Sequence, residues 1–274
     1  MCRVLSVSQS GYYAWHRREP SQRRVKDETL LGLIREIHVA SQESYGVPRI
    51  CKALRARGHV VNKKRVERLM RMNQIQGDSP RKKWVKTTDS NHDFPVAANR
   101  LNRDFHANKP NQKWVADITY IQTDEGWLYL ATVLDLFSSK IVGWSMADTL
   151  ETSLVLSAMK MALTTRQPDA GLLHHSDRGS QYASHEYQAL LKQFKVQPSM
   201  SRTGNCYDNA VMESFFGTIK SELIRRRHYC TKAEARTDIF RYIETFYNRK
   251  RIHSTLGYLS PDDFEAAYIA DSLS

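Results

Sequence analysis

The sequence predicts an α/β protein: a mixed five-stranded sheet flanked by helices, preceded by an all-helical, helix-turn-helix-like region. Three observations predict it. Up to about residue 75, apolar residues recur at helical spacing. From Trp114 onward the period becomes that of strands, first three in succession and then strands alternating with helices, the pattern of a sheet covered on both faces. Charge divides at the same place. Residues 1–110 carry 23 Lys and Arg against 10 Asp and Glu, residues 111–274 carry 18 against 19, and the whole 274-residue chain has a net charge of +12. A basic excess confined to one end is the electrostatic footprint of a nucleic-acid-binding module beside a nearly neutral one.

In the first region, 1–75, Ser8 is placed to cap a helix from Gln9 to about Arg18, with Tyr12, Tyr13 and Trp15 as packing residues. This reads as the last helix of a longer segment. Leu30, Leu31, Ile34, Ile37 and His38 give the next helix its periodicity over Asp27–Ala40. Pro48 suits the first turn of a third helix, and Gly58 its stop. Asn62 caps a fourth, Lys63–Asn73, with Val66, Leu69 and Met70 inward and Lys63, Lys64, Arg65, Arg68 and Arg71 on the other side. We read the last two as a helix-turn-helix whose second helix faces DNA, chiefly its phosphates. The alternative is a helical hairpin with a solvated basic side.

Residues 76–110 read as a linker: GDSPRKKWVKTTDSNHD, residues 77–93, is polar, turn-rich and basic, with no sustained period. Arg81, Lys82, Lys83 and Lys86 surround Trp84, a mixture suited to tracking a DNA backbone and stacking on a base, or to a tether that orders on binding.

From residue 111 to 274 the chain reads as one α/β domain with a helical extension. Strands are expected at Trp114–Gln122, Trp127–Leu136, Lys140–Met146, Leu172–His175 and Val196–Met200, with helices at Thr152–Arg166 and near Ser184–Phe194. Met212, Phe216, Ile219 and Leu223 form the apolar stripe of a further helix, and Glu213, Gly217 and Lys220 share an adjacent face. Gly217 costs this helix stability, for close approach of a DNA backbone or for tight packing. Asp208 or Asn209 can cap it, while Asn205 and Asp208 serve either turn chemistry or substrate contact. Thr231 and Glu234 form a capping box for a helix over Thr231–Asn248, and Ser260-Pro261 begins the last one. Asn248, Arg249 and His253 are read as able to face DNA.

No run of eighteen apolar residues and no apolar signal core are present, so a cytoplasmic protein is expected, with no membrane partner. The cysteines, Cys2, Cys51, Cys206 and Cys230, form no CxxC pair, and neither a disulfide framework nor a structural zinc site is expected.

Three acids stand out: Asp117 in a strand, Asp177 just after one, and Glu213 on a helix, with thirty-five residues between the last two. Crowded carboxylates repel, and a divalent cation offsets that repulsion: Mg²⁺ takes hard oxygen ligands beside phosphate oxygens. Two ions about 4 Å apart stabilise both the attacking and the leaving oxygen of an in-line displacement. His174 and His175, just before Asp177, suit packing or hydrogen bonding better than ligation of such ions.

These residues lie in WxxDITYI, HSDRGSQY and GNxxDNAxxESFFGTIKSE, which resemble the motifs of D, D, E transposases of bacterial insertion sequences, relatives of retroviral integrases. The closer likeness is to the catalytic OrfB-type protein of elements that encode their transposase in two overlapping frames. It extends from about Met1 to YNRKRIHSTLGYLSPDDFE. The resemblance implies a ribonuclease-H-like catalytic core, with Asp117, Asp177 and Glu213 as catalytic residues and as ligands of Mg²⁺ or Mn²⁺, two ions per site. It implies cleavage and strand transfer at the ends of an insertion sequence. DNA contacts are read from the residues themselves: Lys220, Arg178, Lys63, Lys64, Arg65, Arg68, Arg71, Lys82 and Lys83. Expected partners are element ends, target DNA, other transposase protomers in a synaptic complex and the product of an upstream overlapping frame, in a nucleoid-associated setting. Two competing readings are a catalytically inactive or truncated DNA-binding relative, and a plain nuclease of the same fold.

Overall fold

Caps written into the sequence start the helices of the N-terminal unit. The Ser8 hydroxyl accepts from Gly11 N–H at 3.0 Å and begins α1, Gln9–His16. Ser21 does the same for α2, Gln22–Ala40, which begins five residues ahead of the expected start at Asp27. Pro48 lies in the first turn of α3, Val47–Ala56, and Gly58 ends it at φ +83°. The Asn62 side chain accepts from Lys64 N–H at 2.8 Å to begin α4, Lys63–Met72.

The computed structural model describes residues 2, 4, 7–78, 94–202 and 206–273, and divides into two units, Met1–Gly77 and Asp78–Ser274. The first is held by Leu30, Ile34 and Ile37 of α2, Ile50 and Leu54 of α3, and Val66, Leu69 and Met70 of α4, all buried. Burying each such side chain contributes about 1.5–3 kcal/mol. Helix α1 buries no residue; Tyr12, Tyr13 and Trp15 pack on one another instead of into a core.

In the second unit β1 (Lys113–Thr123), β2 (Gly126–Asp135) and β3 (Lys140–Ala147) form an antiparallel meander, its first turn carrying Gly126 at φ +100°. Helix α5 (Thr152–Arg166) crosses to β4 (Leu173–Ser176), which pairs parallel with β1. The short α6 (Ser180–Ala183) and α7 (His185–Gln193) lead to β5 (Gln197–Met200), parallel to β4. The order β3-β2-β1-β4-β5 makes the sheet mixed. Trp114 and Ala116 of β1 join Leu154, Val155 and Met159 of α5 and Tyr187 of α7 in one buried cluster. Gly143 is where α5 comes closest: a Cβ there would stand 2.3 Å from the Ala158 carbonyl oxygen.

Helix α8 (Ala210–Glu222) packs on β1, and α9 (Lys232–Arg241) packs across β1 and β2. The capping box of Thr231 and Glu234 opens α9. The helix does not run on to Asn248 as an α-helix. Residues Tyr242–Tyr247 widen into a π-helical turn, which lets Tyr242, Ile243, Phe246 and Tyr247 all reach the core. Asn248 and His253 do not face outward either. The Asn248 carboxamide accepts from Ile141 N–H and donates to Ile141 O, both at 3.0 Å, stapling the end of this helix to β3. His253 is buried edge-on against Tyr247; Arg249 is exposed. The last helix, α10 (Pro261–Leu273), is fastened through Glu265, which takes a two-pronged bond from Arg166 at 2.7 and 2.8 Å and a third from Ser138.

Lys82, Lys83 and the other basic residues around Trp84 lie outside the described residues. Residues 94–110, the second half of the expected linker, pack within the second unit. Leu101 is buried, and its N–H and that of Arg100 both donate to the Ser199 hydroxyl. Asn99, Arg103 and Arg202 meet on the buried carboxylate of Asp208 at 2.8, 3.0 and 3.4 Å. Burial opposes the charge of Asp208, but the Arg202 N–H and the two guanidiniums outweigh it and hold the carboxyl below its ordinary range. Asp208 therefore gathers chain segments and does not cap α8. Among the described residues no helix is long and apolar enough to cross a membrane.

Candidate active site

The sheet brings the first two acids together. Strands β1 and β4 pair with Trp114 opposite His174 and Val115 opposite His175; continuing that register by two residues sets Asp117 level with Asp177. The Asp117 carboxylate accepts from Ile118 N–H at 2.7 Å. Asp177 folds back over its own turn to accept from Gly179 N–H at 2.9 Å, and a Cβ at position 179 would stand 3.1 Å from that same oxygen.

The third acid arrives on α8. The Asn209 carboxamide donates to Ala116 O at 3.3 Å, which anchors the start of the helix beside the residue preceding Asp117. Glu213 follows in the first turn and is exposed. Burial raises the Asp117 carboxyl well above its ordinary value; the charges of Asp177 and Glu213 raise it further, opposed by the Ile118 N–H and by Lys220. These four side chains thus form one electrostatic cluster. Burial also raises Glu213. The three acids are not drawn tight: theirs is not among the sets whose ligand atoms all lie within 4.8 Å of one another.

Lys220 lies two turns beyond Glu213, about 10 Å along the helix. Its ammonium sits over the Tyr120 ring, 4.9 Å from the centroid, and burial lowers its pKa. Gly217 lies between them in sequence, and a Cβ there would meet nothing within 4 Å. Tight helix–sheet packing is therefore not why the helix carries glycine at this point.

The neighbours of Asp177 are structural. His174 bonds the Tyr187 hydroxyl at 2.9 Å, and burial lowers its pKa to about 3. His175 lies between the hydroxyls of Ser199 and Ser201 at 2.8 and 3.1 Å, its pKa lowered by burial to about 4. Both rings are neutral at physiological pH. Arg178 donates to Ser201 O at 2.6 Å, tying the turn after β4 to the end of β5. Tyr182 carries no sequence expectation: it is buried, its hydroxyl has no hydrogen-bond partner among the described residues, and burial first, then Tyr187, Asp117 and Asp177, raise its pKa well above the ordinary value. Its only sequence signal was membership of HSDRGSQY.

In the first unit the basic residues of α4 separate into two kinds. Arg65 and Arg68 are half-buried and both pair with Asp27 of α2, Arg65 at 2.7 Å. Those hydrogen bonds, Arg68's first and then Arg65's, hold the Asp27 carboxyl below its ordinary range. Lys63, Lys64 and Arg71 are exposed.

Residues 107–206 match the integrase core domain family, residues 194–261 match a second integrase core domain family, and residues 25–83 match an HTH-like domain. The chain is 46% identical over 268 residues to an uncharacterized 31 kDa protein of insertion element IS600 from Shigella sonnei, covering 98% of each. It is 42% identical over 272 residues to the transposase InsF for insertion sequence IS3A from Escherichia coli, covering 98% of this chain and 94% of the relative. Among solved structures it resembles the simian T-cell lymphotropic virus intasome with a TM-score of 0.50 at 14% identity, over 85% of this chain and 74% of that one. At that identity the likeness is one of fold: a five-stranded integrase-type, ribonuclease-H-like core.

Proposed function

The chain belongs to the IS3-type insertion-sequence transposases, and we propose that it cleaves the ends of such an element and transfers the freed strand to target DNA. In this reading Asp117, Asp177 and Glu213 carry the chemistry. The observation that supports it most is the β1–β4 register, which levels Asp117 with Asp177 at the point where α8 delivers Glu213 and Lys220.

The donor set suits a hard divalent ion, because every candidate ligand is a carboxylate oxygen. Burial first, and then the charges of Asp177 and Glu213, raise the Asp117 carboxyl, and a bound cation would oppose both effects. Mg²⁺ or Mn²⁺, two ions in the fullest form of the proposal, would supply polarisation of the phosphodiester and a more acidic attacking water or 3′-OH. Asp117 and Asp177 would hold the cation from the sheet and Glu213 from the helix. Lys220, steadied by Tyr120, would hold a substrate phosphate, and the bare surface at Gly217 would let the DNA backbone approach.

DNA is the partner in this reading. We assign recognition of the element ends to residues 1–75, with Lys63, Lys64 and Arg71 nearest the phosphates, and catalysis to residues 111–274. Lys82 and Lys83 would add backbone contacts between them. Further protomers in a synaptic complex, and the product of an upstream frame, complete the set of partners proposed.

Single-turnover cleavage of element-end DNA, followed against DNA concentration, tests the assignment. Glu213→Gln should bind DNA and stay inactive at every concentration. Lys220→Ala should bind more weakly, with its salt slope reduced by about one unit, and recover at saturating DNA. Cleavage by folded Glu213→Gln would overturn the role of the triad. Loss of cleavage by Lys220→Ala at saturation would move that lysine into the reacting centre.

A further inference from the structure

We propose that Asp124, His228 and Cys230 form a second metal site, separate from the acidic triad, which takes a zinc-class divalent cation. A carboxylate oxygen of Asp124, an imidazole nitrogen of His228 and the sulfur of Cys230 all lie within 4.8 Å of one another. His228 Nε2 and Asp124 Oδ2 are already 3.0 Å apart. Around a tetrahedral zinc, bonds of about 2.0 Å to nitrogen or oxygen and about 2.3 Å to sulfur set neighbouring ligand atoms about 3.3–3.6 Å apart. The three atoms already stand near that spacing, and because all three residues are exposed, water can take the fourth position.

The donors choose the ion. One nitrogen, one sulfur and one oxygen suit a borderline-soft cation, whereas the all-oxygen triad suits Mg²⁺. Asp124 lies seven residues beyond Asp117, in the turn just past the far end of β1, and at the rise of a strand this is about 23 Å away. The two sites are therefore distinct in place as well as in chemistry.

The ligands come from two segments that the backbone has already fastened. Asp124 N–H donates to Tyr229 O at 3.0 Å, and Lys232 N–H donates to the Glu125 carboxylate at 2.7 Å. The Cys230 N–H is held by Glu234 at 3.1 Å. Little ordering is left to do on binding; the Cys230 thiol gives its proton to solvent and binds as thiolate. The ion would clip the β1–β2 turn to the segment that follows α8 and leads into α9. His228 and Cys230 are two positions apart, but their third partner lies 104 positions before His228, so sequence spacing does not mark the set as a zinc site.

Titrating the full-length protein with Co²⁺ in excess Mg²⁺ tests the site, because a thiolate-to-cobalt charge-transfer band appears only where a cysteine binds the ion. One equivalent per chain should produce the band, and Zn²⁺ should displace it. Cys230→Ser should abolish it, while His228→Ala and Asp124→Asn should weaken binding by more than about tenfold. Zn²⁺ should also raise the melting temperature of the parent protein and not that of Cys230→Ser. Absence of the band, or a band of equal strength in Cys230→Ser arising from Cys2, Cys51 or Cys206, overturns the proposal.

Discussion

Arg251 meets Glu222 in a two-pronged ion pair, at 2.7 and 2.8 Å, with both side chains almost wholly withdrawn from water. Glu222 is the last residue of α8, the helix that begins beside Asp117 and carries Glu213. The Tyr242 hydroxyl gives the same carboxylate a third hydrogen bond at 2.8 Å. Burial works against the arginine's charge, but Glu222 outweighs it and raises the guanidinium pKa. The YNRKRIH segment therefore holds α8 in place: its arginine fixes the helix end, its asparagine fixes β3, and its histidine packs in the core.

Removing one partner of this pair should be costly and removing both much less so. Arg251→Met leaves a buried carboxylate uncompensated and should destabilise the protein by about 3–5 kcal/mol in urea denaturation. Arg251→Lys should recover only part, because an ammonium cannot make the two-pronged contact. Arg251→Met combined with Glu222→Leu should return most of the loss. A double variant as unstable as Arg251→Met would show that the packing of the arginine stem, and not its charge, holds the helix.

Asp117→Asn should abolish cleavage and, without added metal, stabilise the fold. The carboxyl is raised above its unfolded value, so its contribution to stability is full below the ordinary 3.8 and is lost as pH rises through the folded pKa. The variant should therefore melt higher than the parent at pH 7.5 and match it near pH 3.5. Saturating Mg²⁺ should raise the parent's melting temperature and leave the variant's unchanged. Equal melting at both pH values would mean that Asp117 is not under the strain its neighbours impose.

Gly217→Ala separates folding from function. Alanine in a helix interior is favoured over glycine by about 0.8–1.0 kcal/mol, and no atom stands within 4 Å to oppose the new methyl group. The melting temperature should rise by about 2–4 °C. Cleavage should fall if a DNA backbone lies against this face, and a more stable variant of undiminished activity would show that the space is unused.

The basic residues of α4 should fail in two different ways. Lys63→Ala, Lys64→Ala and Arg71→Ala should each lower the slope of log K against log salt by about one unit and leave the fold unchanged. Arg65→Ala and Arg68→Ala should lower the melting temperature, because each withdraws a partner from Asp27. Fluorescence anisotropy across a salt series, alongside thermal melts, distinguishes the two groups.

What the sequence made legible was whatever recurs at short range. Alternation marked the strand of Asp117, and a 3.6-residue stripe marked the helix of Glu213, because each pattern lies within one element. The two roles of the α4 arginines were not legible, since their partner lies 38 and 41 positions away on another helix. Asn248 and His253 read as outward-facing for the same reason: polar residues in a basic stretch resemble a DNA contact until a strand 107 positions earlier takes up the carboxamide. The π-helical turn was hidden because its aromatic pattern also satisfies an α-helix. Nor did periodicity mark the end of the linker: Phe94, Val96, Leu101 and Phe105 follow no helical or strand spacing, and residues 94–110 form neither element.

The junction at Asp208 bears on how this protein can be divided. One carboxylate receives Asn99 and Arg103 from ahead of the sheet and Arg202 from beyond its last strand. A catalytic fragment begun at residue 111, where the strand pattern starts, would lose two of these three donors while keeping the acid buried. Begun at residue 94, it would carry its own counter-charges. The first cut resembles an amputation and the second a dissection, although only seventeen residues separate them.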